Sequence, residues 1–171
     1  MDIFSANVFT GIIFNNTVDI ESVYSDIEVS FNLKICTISP TYEFNHSSYY
    51  ETEMGHHLKR VFLTFSNLIS PLDGPQFKIV SQRIESRYMK QGNRTLNIDP
   101  GLLSMHNLIL YSTKNYAHRI ICKSGIYADL TYIFTNKNIQ FLPWTYPDFK
   151  FKEIQNFFLL ERERLKHLLK E

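Results

Sequence analysis

A chain of 171 residues with 44% hydrophobic and 20% charged side chains is long enough for one sizeable core, and this composition excludes a disordered or fibrous protein. With 18 Lys and Arg against 17 Asp and Glu the formal charge is +1, so no global field draws nucleic acid or an anionic membrane, and any basic site has to be local. The N-terminus lacks a basic segment followed by an apolar stretch, and no run approaches the length of a membrane span, which predicts a cytoplasmic protein with no membrane partner.

The first predicted element is a strand over Val8–Phe14, rich in β-branched and aromatic residues and ended by Asn15-Asn16. Thr17 or Asp19 then caps a helix that runs to about Phe31, with Ile20, Val23, Tyr24 and Ile27 on one face. Leu33–Ser39 is a second strand, stopped by Pro40. Residues 40–57 are polar and irregular and are expected as a long loop, a place where function or a lid often resides. Leu58–Phe65 alternates, with Leu58, Arg60, Phe62 and Thr64 on one face and Lys59, Val61, Leu63 and Phe65 on the other. Pro71 opens a helix through Phe77, Ile79, Val80, Ile84 and Tyr88, with Gly92 as its stop.

Arg94–Ile98 is a short strand, and Asp99-Pro100-Gly101 is predicted to be a turn. Strands follow at Leu108–Tyr111, His118–Cys122 and Ile126–Phe134, the last two joined as a hairpin through Lys123-Ser124-Gly125. Asn136-Lys137-Asn138 turns the chain into Ile139–Leu142, and a last helix runs from about Phe151 to Lys170. Cys36 and Cys122 lie in apolar runs and are expected as reduced, buried packing residues; with no CxxC spacing they suggest no zinc site. The order implies one α+β domain with its core at about residues 8–160. It has a mainly antiparallel sheet, a ferredoxin-like β-α-β-β-α-β start, extra C-terminal strands and a C-terminal helix.

Polar chemistry concentrates in a few places. Asn97 and Asp99 share one face of their strand, close to Arg94. A carboxylate at Asp99 could bind a cation, accept a proton or merely bond to a turn's backbone. Ser112-Thr-Lys114-Asn-Tyr-Ala-His118-Arg119 places a lysine, a histidine and an arginine between two apolar strands. Arg119 can grip a phosphate or carboxylate in two parallel bonds, Lys114 adds a point charge, and His118 can move a proton near neutral pH. Tyr50, Glu51 and Glu53 form a third group. Glu51 with Asp99 would offer oxygen ligands suited to a divalent cation such as magnesium. The signatures GxxxxGK[ST], GxGxxG, HExxH and GxSxG are all absent.

Several of these residues fall within a larger ordered pattern. It comprises Tyr49-Tyr50-Glu51-x-Glu53-Met54-Gly55, Leu58-Lys59-Arg60-x-Phe62, Asn97-x-Asp99-Pro100-Gly101, Ser112-Thr113-Lys114, His118-Arg119-Ile120, Gly125-Ile126-Tyr127-Ala128 and Pro143-Trp144-Thr145-Tyr146-Pro147-Asp148. In these motifs the chain resembles the bacterial family called domain of unknown function 4416, over about residues 8 to 160. Asp129 stands where the family pattern has Glu, and Ser81-Gln82 where it has Thr-Asn. The family brings no assigned reaction. The residues themselves favour a domain that binds or acts on an anionic, phosphate-bearing small molecule or nucleotide, with Asp99 and His118 as acid or base and Arg94, Asn97, Lys114, Arg119 and Tyr50 as ligand contacts. An RNA-binding module is the weaker alternative, because the aromatic-rich sheet could stack bases while the neutral charge speaks against it. A structural or protein-interaction domain, using the Trp144 segment and the last helix, is the third.

Overall fold

The computed structural model describes residues 5–45 and 48–170. Strand β1 (Ala6–Phe14) is buried along its whole length. It runs antiparallel to β4 (Leu58–Ile69) on one side and β5 (Leu96–Leu103) on the other. β2 (Ile35–Ile38) pairs with the outer side of β4, giving the order β2-β4-β1-β5. With α1 (Ile20–Phe31) between β1 and β2 and α3 (Gly74–Arg87) between β4 and β5, this is the ferredoxin-like arrangement that the order of elements predicts. β6 (Asn107–Ser112), β8 (Tyr127–Thr135) and β7 (Arg119–Ile121) continue the sheet beyond β5, and β9 (Asn138–Phe141) pairs with β8.

The alternation in β4 decides how the layers form. Val61, Leu63 and Phe65 face α1 and α3, where they meet Val23, Ile27, Phe31, Phe77 and Ile84. Phe62 faces the other way, toward Phe9, Tyr132, Phe149 and the helix α4 (Lys152–Leu168), which contributes Ile154, Phe157, Phe158 and Leu165. Each such fully buried side chain contributes about 1.5–3 kcal/mol. Because both faces of the sheet are covered, β1 has no polar face, and its sequence reads as a continuous apolar run rather than an alternation.

Four expectations are corrected. The stretch 40–57 is not a bare loop. Tyr42–Phe44 forms β3 on β4, with Tyr42 opposite Arg60 and Phe44 opposite Leu58, and Ser48–Met54 forms the short helix α2. The scattered apolar residues Phe44 and Met54 drive this by packing on Ile13 and Leu58 as a satellite core. His46 and Ser47, also inside the expected loop, lie outside the described residues. The second helix starts later and ends earlier than its pattern suggests: Pro71–Asp73 is a 3-10 turn, α3 stops at Arg87, and Gln91 and Gly92 sit at φ 51° and 81° in a separate tight turn. Cys36 and Cys122 are exposed, because each belongs to a short segment at an outer end of the sheet where one face meets solvent.

The fourth correction concerns Asp99-Pro100-Gly101, which lies inside β5 rather than in a turn. Pro100 pairs with Thr10 of β1, and Gly101 lets two backbones approach: a Cβ there would stand 2.1 Å from the Ile109 carbonyl oxygen and 2.5 Å from the Phe9 ring. Pro100 also ends a ladder. Ser104 N donates to Asn107 O at the β5–β6 turn, and every second residue of an antiparallel strand faces the same neighbour, so Leu102 and then Pro100 face β6. Pro100 has no N–H to give. The β5–β6 pairing accordingly stops at Gly101↔Leu110, while β6 continues to Ser112 alongside β8. The sheet therefore forks between the first half of β5 and the end of β6.

Candidate functional site

A pocket of about 370 Å³ occupies the fork. Asn97 and Asp99 of β5 form one wall, Tyr111 to Lys114 at the end of β6 the other, and Lys78, Gln82 and Glu85 of α3 the floor. Spacings of four and three place these α3 residues on one stripe of the helix. Arg60 of β4, Tyr49 and Tyr50 of α2, Phe44 of β3, and Arg119, Asp129, Tyr146 and Asp148 from the C-terminal part also contribute to the lining.

A chain of alternating charges runs through the β5 wall. Glu53 accepts from Arg94 Nε at 2.9 Å and from its terminal nitrogen at 2.6 Å. Arg94 donates on to Asn97 Oδ1 at 3.2 Å, Asn97 Nδ2 to Asp99 Oδ2 at 2.7 Å, and Lys78 Nζ to Asp99 Oδ1 at 3.2 Å and Ile98 O at 2.8 Å. Burial opposes the ionisation of Asp99, but the Lys78 and Arg60 charges and the bonds from Lys78 and Asn97 outweigh it and hold its carboxyl below the usual range. Glu85, which accepts from Ile98 N at 2.6 Å and stands 4.0 Å from Lys78 Nζ, is pushed the other way by burial.

The far wall is bonded to itself. Arg119 Nε donates to Asp129 Oδ2 at 2.8 Å, and its terminal nitrogens donate to Ser112 Oγ at 2.9 Å, Lys114 O at 3.0 Å and Tyr146 Oη at 2.9 Å. These bonds fix the loop Ser112–Arg119 rather than leaving the guanidinium open to a ligand. Lys114 Nζ donates to Tyr49 Oη at 2.6 Å, a bond that draws the phenol's pKa down and closes part of the mouth. Tyr146, partly covered beside Arg119, has its pKa raised by the desolvation of its hydroxyl.

Arg60 differs from the other cations. Its side chain is 5% exposed and stands between rings, with Cζ 4.8 Å from the Phe62 centroid, 5.4 Å from Phe149 and 5.8 Å from Phe44. Nε lies 3.5 Å from Asp148 Oδ2 without hydrogen-bond geometry, and both atoms are buried without a hydrogen-bond partner among the described residues. Gly11 makes room for this group, since a Cβ there would come within 2.8 Å of a terminal nitrogen of Arg60. A buried polar group left unbonded is costly, and a buried guanidinium more so.

Among the residues singled out from the sequence, Tyr50, Arg94, Asn97, Asp99, Lys114 and Arg119 all line this pocket. His118 does not. Its Nε2 shares Asp129 Oδ2 with Arg119 at 3.1 Å, and its ring stacks on Trp144 at 4.8 Å, one layer behind the wall. Glu51 is also outside the lining, with Oε2 3.5 Å from His56 Nδ1. No group of three or more His, Cys, Asp or Glu among the described residues is placed to hold a metal ion. Sequence reasoning gave no site role to Arg60, Lys78, Glu85, Asp129 and Asp148, although Arg60 and Asp148 stand in the ordered motifs and Asp129 marks a departure from them. Arg60 carried a signal, a charge between Leu58 and Phe62 on one face of an alternating strand; Asp148 closes the Pro143–Asp148 motif, but its pairing left no local trace because the partner lies 88 positions away in sequence.

The profile of the family described as Domain of unknown function (DUF4416) matches residues 5–165, nearly the whole chain. No curated protein matches it. No helix among the described residues is long and apolar enough to cross a membrane.

Proposed function

This chain belongs to the DUF4416 family, and we propose that it is a small-molecule-binding domain whose fork pocket takes an anionic ligand. The observation that carries the reading is Arg60, a guanidinium enclosed by three rings whose Nε has no hydrogen-bond partner among the described residues, in the wall of a pocket large enough for a metabolite. An anion placed on its remaining N–H groups would supply the missing charge-assisted bonds. Lys114 at the mouth attracts the ligand, and the tyrosines flank it.

Phosphorylated metabolites, nucleotides and carboxylates all fall within this class, and a divalent cation such as magnesium would enter with a phosphorylated ligand. Asp99 serves as an orienting charge. A carboxylate held below its usual range is a weak proton acceptor near neutral pH, which argues against a general base at this position. A pocket ligand is favoured over RNA because the aromatic side chains of β1 and β4 are buried against the two helical layers, so no stacking platform is presented there.

Thermal unfolding of the protein against phosphate esters, nucleotides and carboxylic acids, with and without magnesium, tests the proposal. A ligand at one hundred times its Kd stabilises by about 2.7 kcal/mol. The stabilisation is expected to vanish in Arg60→Ala and to weaken in Lys114→Ala. If no anion stabilises the unsubstituted chain, the proposal fails.

A further inference from the structure

We infer that the anion taken at Arg60 is a single carboxylate carried on a flat ring, and not a phosphate monoester; the inference rests on the fork pocket being an anion site. Charge balance in the lining points to a singly charged anion. Lys78 is matched by Asp99 at 3.2 Å and Glu85 at 4.0 Å, Arg94 by Glu53 at 2.6 Å, and Arg119 by Asp129 at 2.8 Å. Arg60 is itself matched by Asp148 at 3.5 Å, with only 5% and 7% of the two side chains exposed. Lys114, held to the Tyr49 hydroxyl at the mouth, is the lining cation for which no carboxylate stands within ion-pair distance among the described residues.

The pocket thus offers positively charged donors but almost no surplus positive charge. A phosphate monoester carries about one and a half to two negative charges at neutral pH, and here its second charge would face Asp148 in a buried, ring-lined slot where repulsion is poorly screened. A carboxylate carries one charge, and its two oxygens match the planar fork of a guanidinium. The rest of the lining fits a ring. Phe44, Tyr50, Tyr111, Tyr116 and Tyr146 surround the space, and about 370 Å³ accommodates a body of two fused rings.

Isothermal titration with a matched pair of probes, 2-naphthoate and 2-naphthyl phosphate, decides the matter on the unsubstituted protein. Naphthoate is expected to bind at least about tenfold more tightly, the scale of one unfavourable like-charge contact. Arg60→Lys, which keeps the charge and loses the planar fork, should cost naphthoate about tenfold or more. Asp148→Asn, which removes the opposing charge, should narrow the gap by raising affinity for the phosphate ester; a gap unchanged in that variant overturns the charge argument. If the phosphate ester binds as tightly as naphthoate or more so, the inference fails while the anion pocket stands. If neither probe binds at millimolar concentration, the ring carboxylate falls, while the anion pocket stands or falls with the thermal-unfolding panel.

Discussion

Burial alone would favour the neutral acid at Asp99, yet Lys78, Arg60 and Asn97 surround it so that the ionised form wins. This has a consequence for stability. Unfolded, an aspartate titrates near pH ~3.9. Folded, Asp99 titrates lower, so the stability it contributes is complete above about pH 4 and is lost as pH falls through the folded value. Glu85 works in the opposite sense: its raised pKa means that the fold prefers it protonated, so acid does not destabilise through it. Urea unfolding at stepped pH should show the native chain weakening from about pH 4 toward pH 2.5, and Asp99→Asn should flatten that slope while being less stable at pH 7. An unaltered slope in the variant would mean that acid sensitivity comes from other carboxylates. At this scale the sequence was partly legible. Asn97 and Asp99 share a face because strand side chains alternate, and they do bond to each other. Lys78, the charge that controls Asp99, lies 21 positions away on a helix, and no local pattern announces it.

Elements were legible wherever one periodicity dominates, as in α1 with its buried Val23, Tyr24, Ile27 and Phe31 and in the Ser124-Gly125 hairpin, whose φ values of 59° and 74° suit the tight two-residue turn. They were misread where a residue type has two uses. Proline and glycine after Asp99 suggested a turn, but here Pro100 ends a ladder and Gly101 admits a neighbouring backbone. The fork that holds the candidate site follows from that proline. Pro100→Ala supplies an N–H facing the Tyr111 carbonyl, so the ladder should extend by one bond and the pocket should narrow. Hydrogen exchange is the direct measurement. The new amide at position 100 should exchange slowly, like those of β5 beyond Gly101, and ligand stabilisation should fall. Fast exchange at that amide would show that α3 rather than Pro100 holds the strands apart.

Across the whole molecule, the two apolar layers are built from alternate residues of the same strands: Val8 and Ile12 of β1 face α1 and α3, while Phe9 faces α4. The sequence shows the alternation in β4, but not which helix covers which face, because packing partners far apart in sequence leave no periodic trace. α4 is tied down twice. Phe158 meets Phe9 at 5.0 Å, Phe62 at 5.3 Å and Phe149 at 5.9 Å. One turn further on, Glu161 Oε2 accepts from Thr64 Oγ1 at 2.7 Å and from Arg164 Nε at 2.8 Å, and Arg164 reaches Asn7 at 3.1 Å. Since β1 and β4 belong to both layers, loosening α4 removes support from strands that α1 and α3 also need. Phe158→Ala should therefore lower global stability by about 3–5 kcal/mol, the usual cost of emptying a buried phenylalanine site, and the loss should appear in one transition. Far-ultraviolet circular dichroism reports all layers, and fluorescence reports Trp144, which is anchored through Nε1 to Leu130 O of β8 in the C-terminal part. Coincident urea curves, both shifted, are expected. If fluorescence melts early while the dichroism midpoint stays in place, the ferredoxin-like half stands without α4, and the fork pocket, whose far wall comes from the C-terminal strands, would be lost before the fold is.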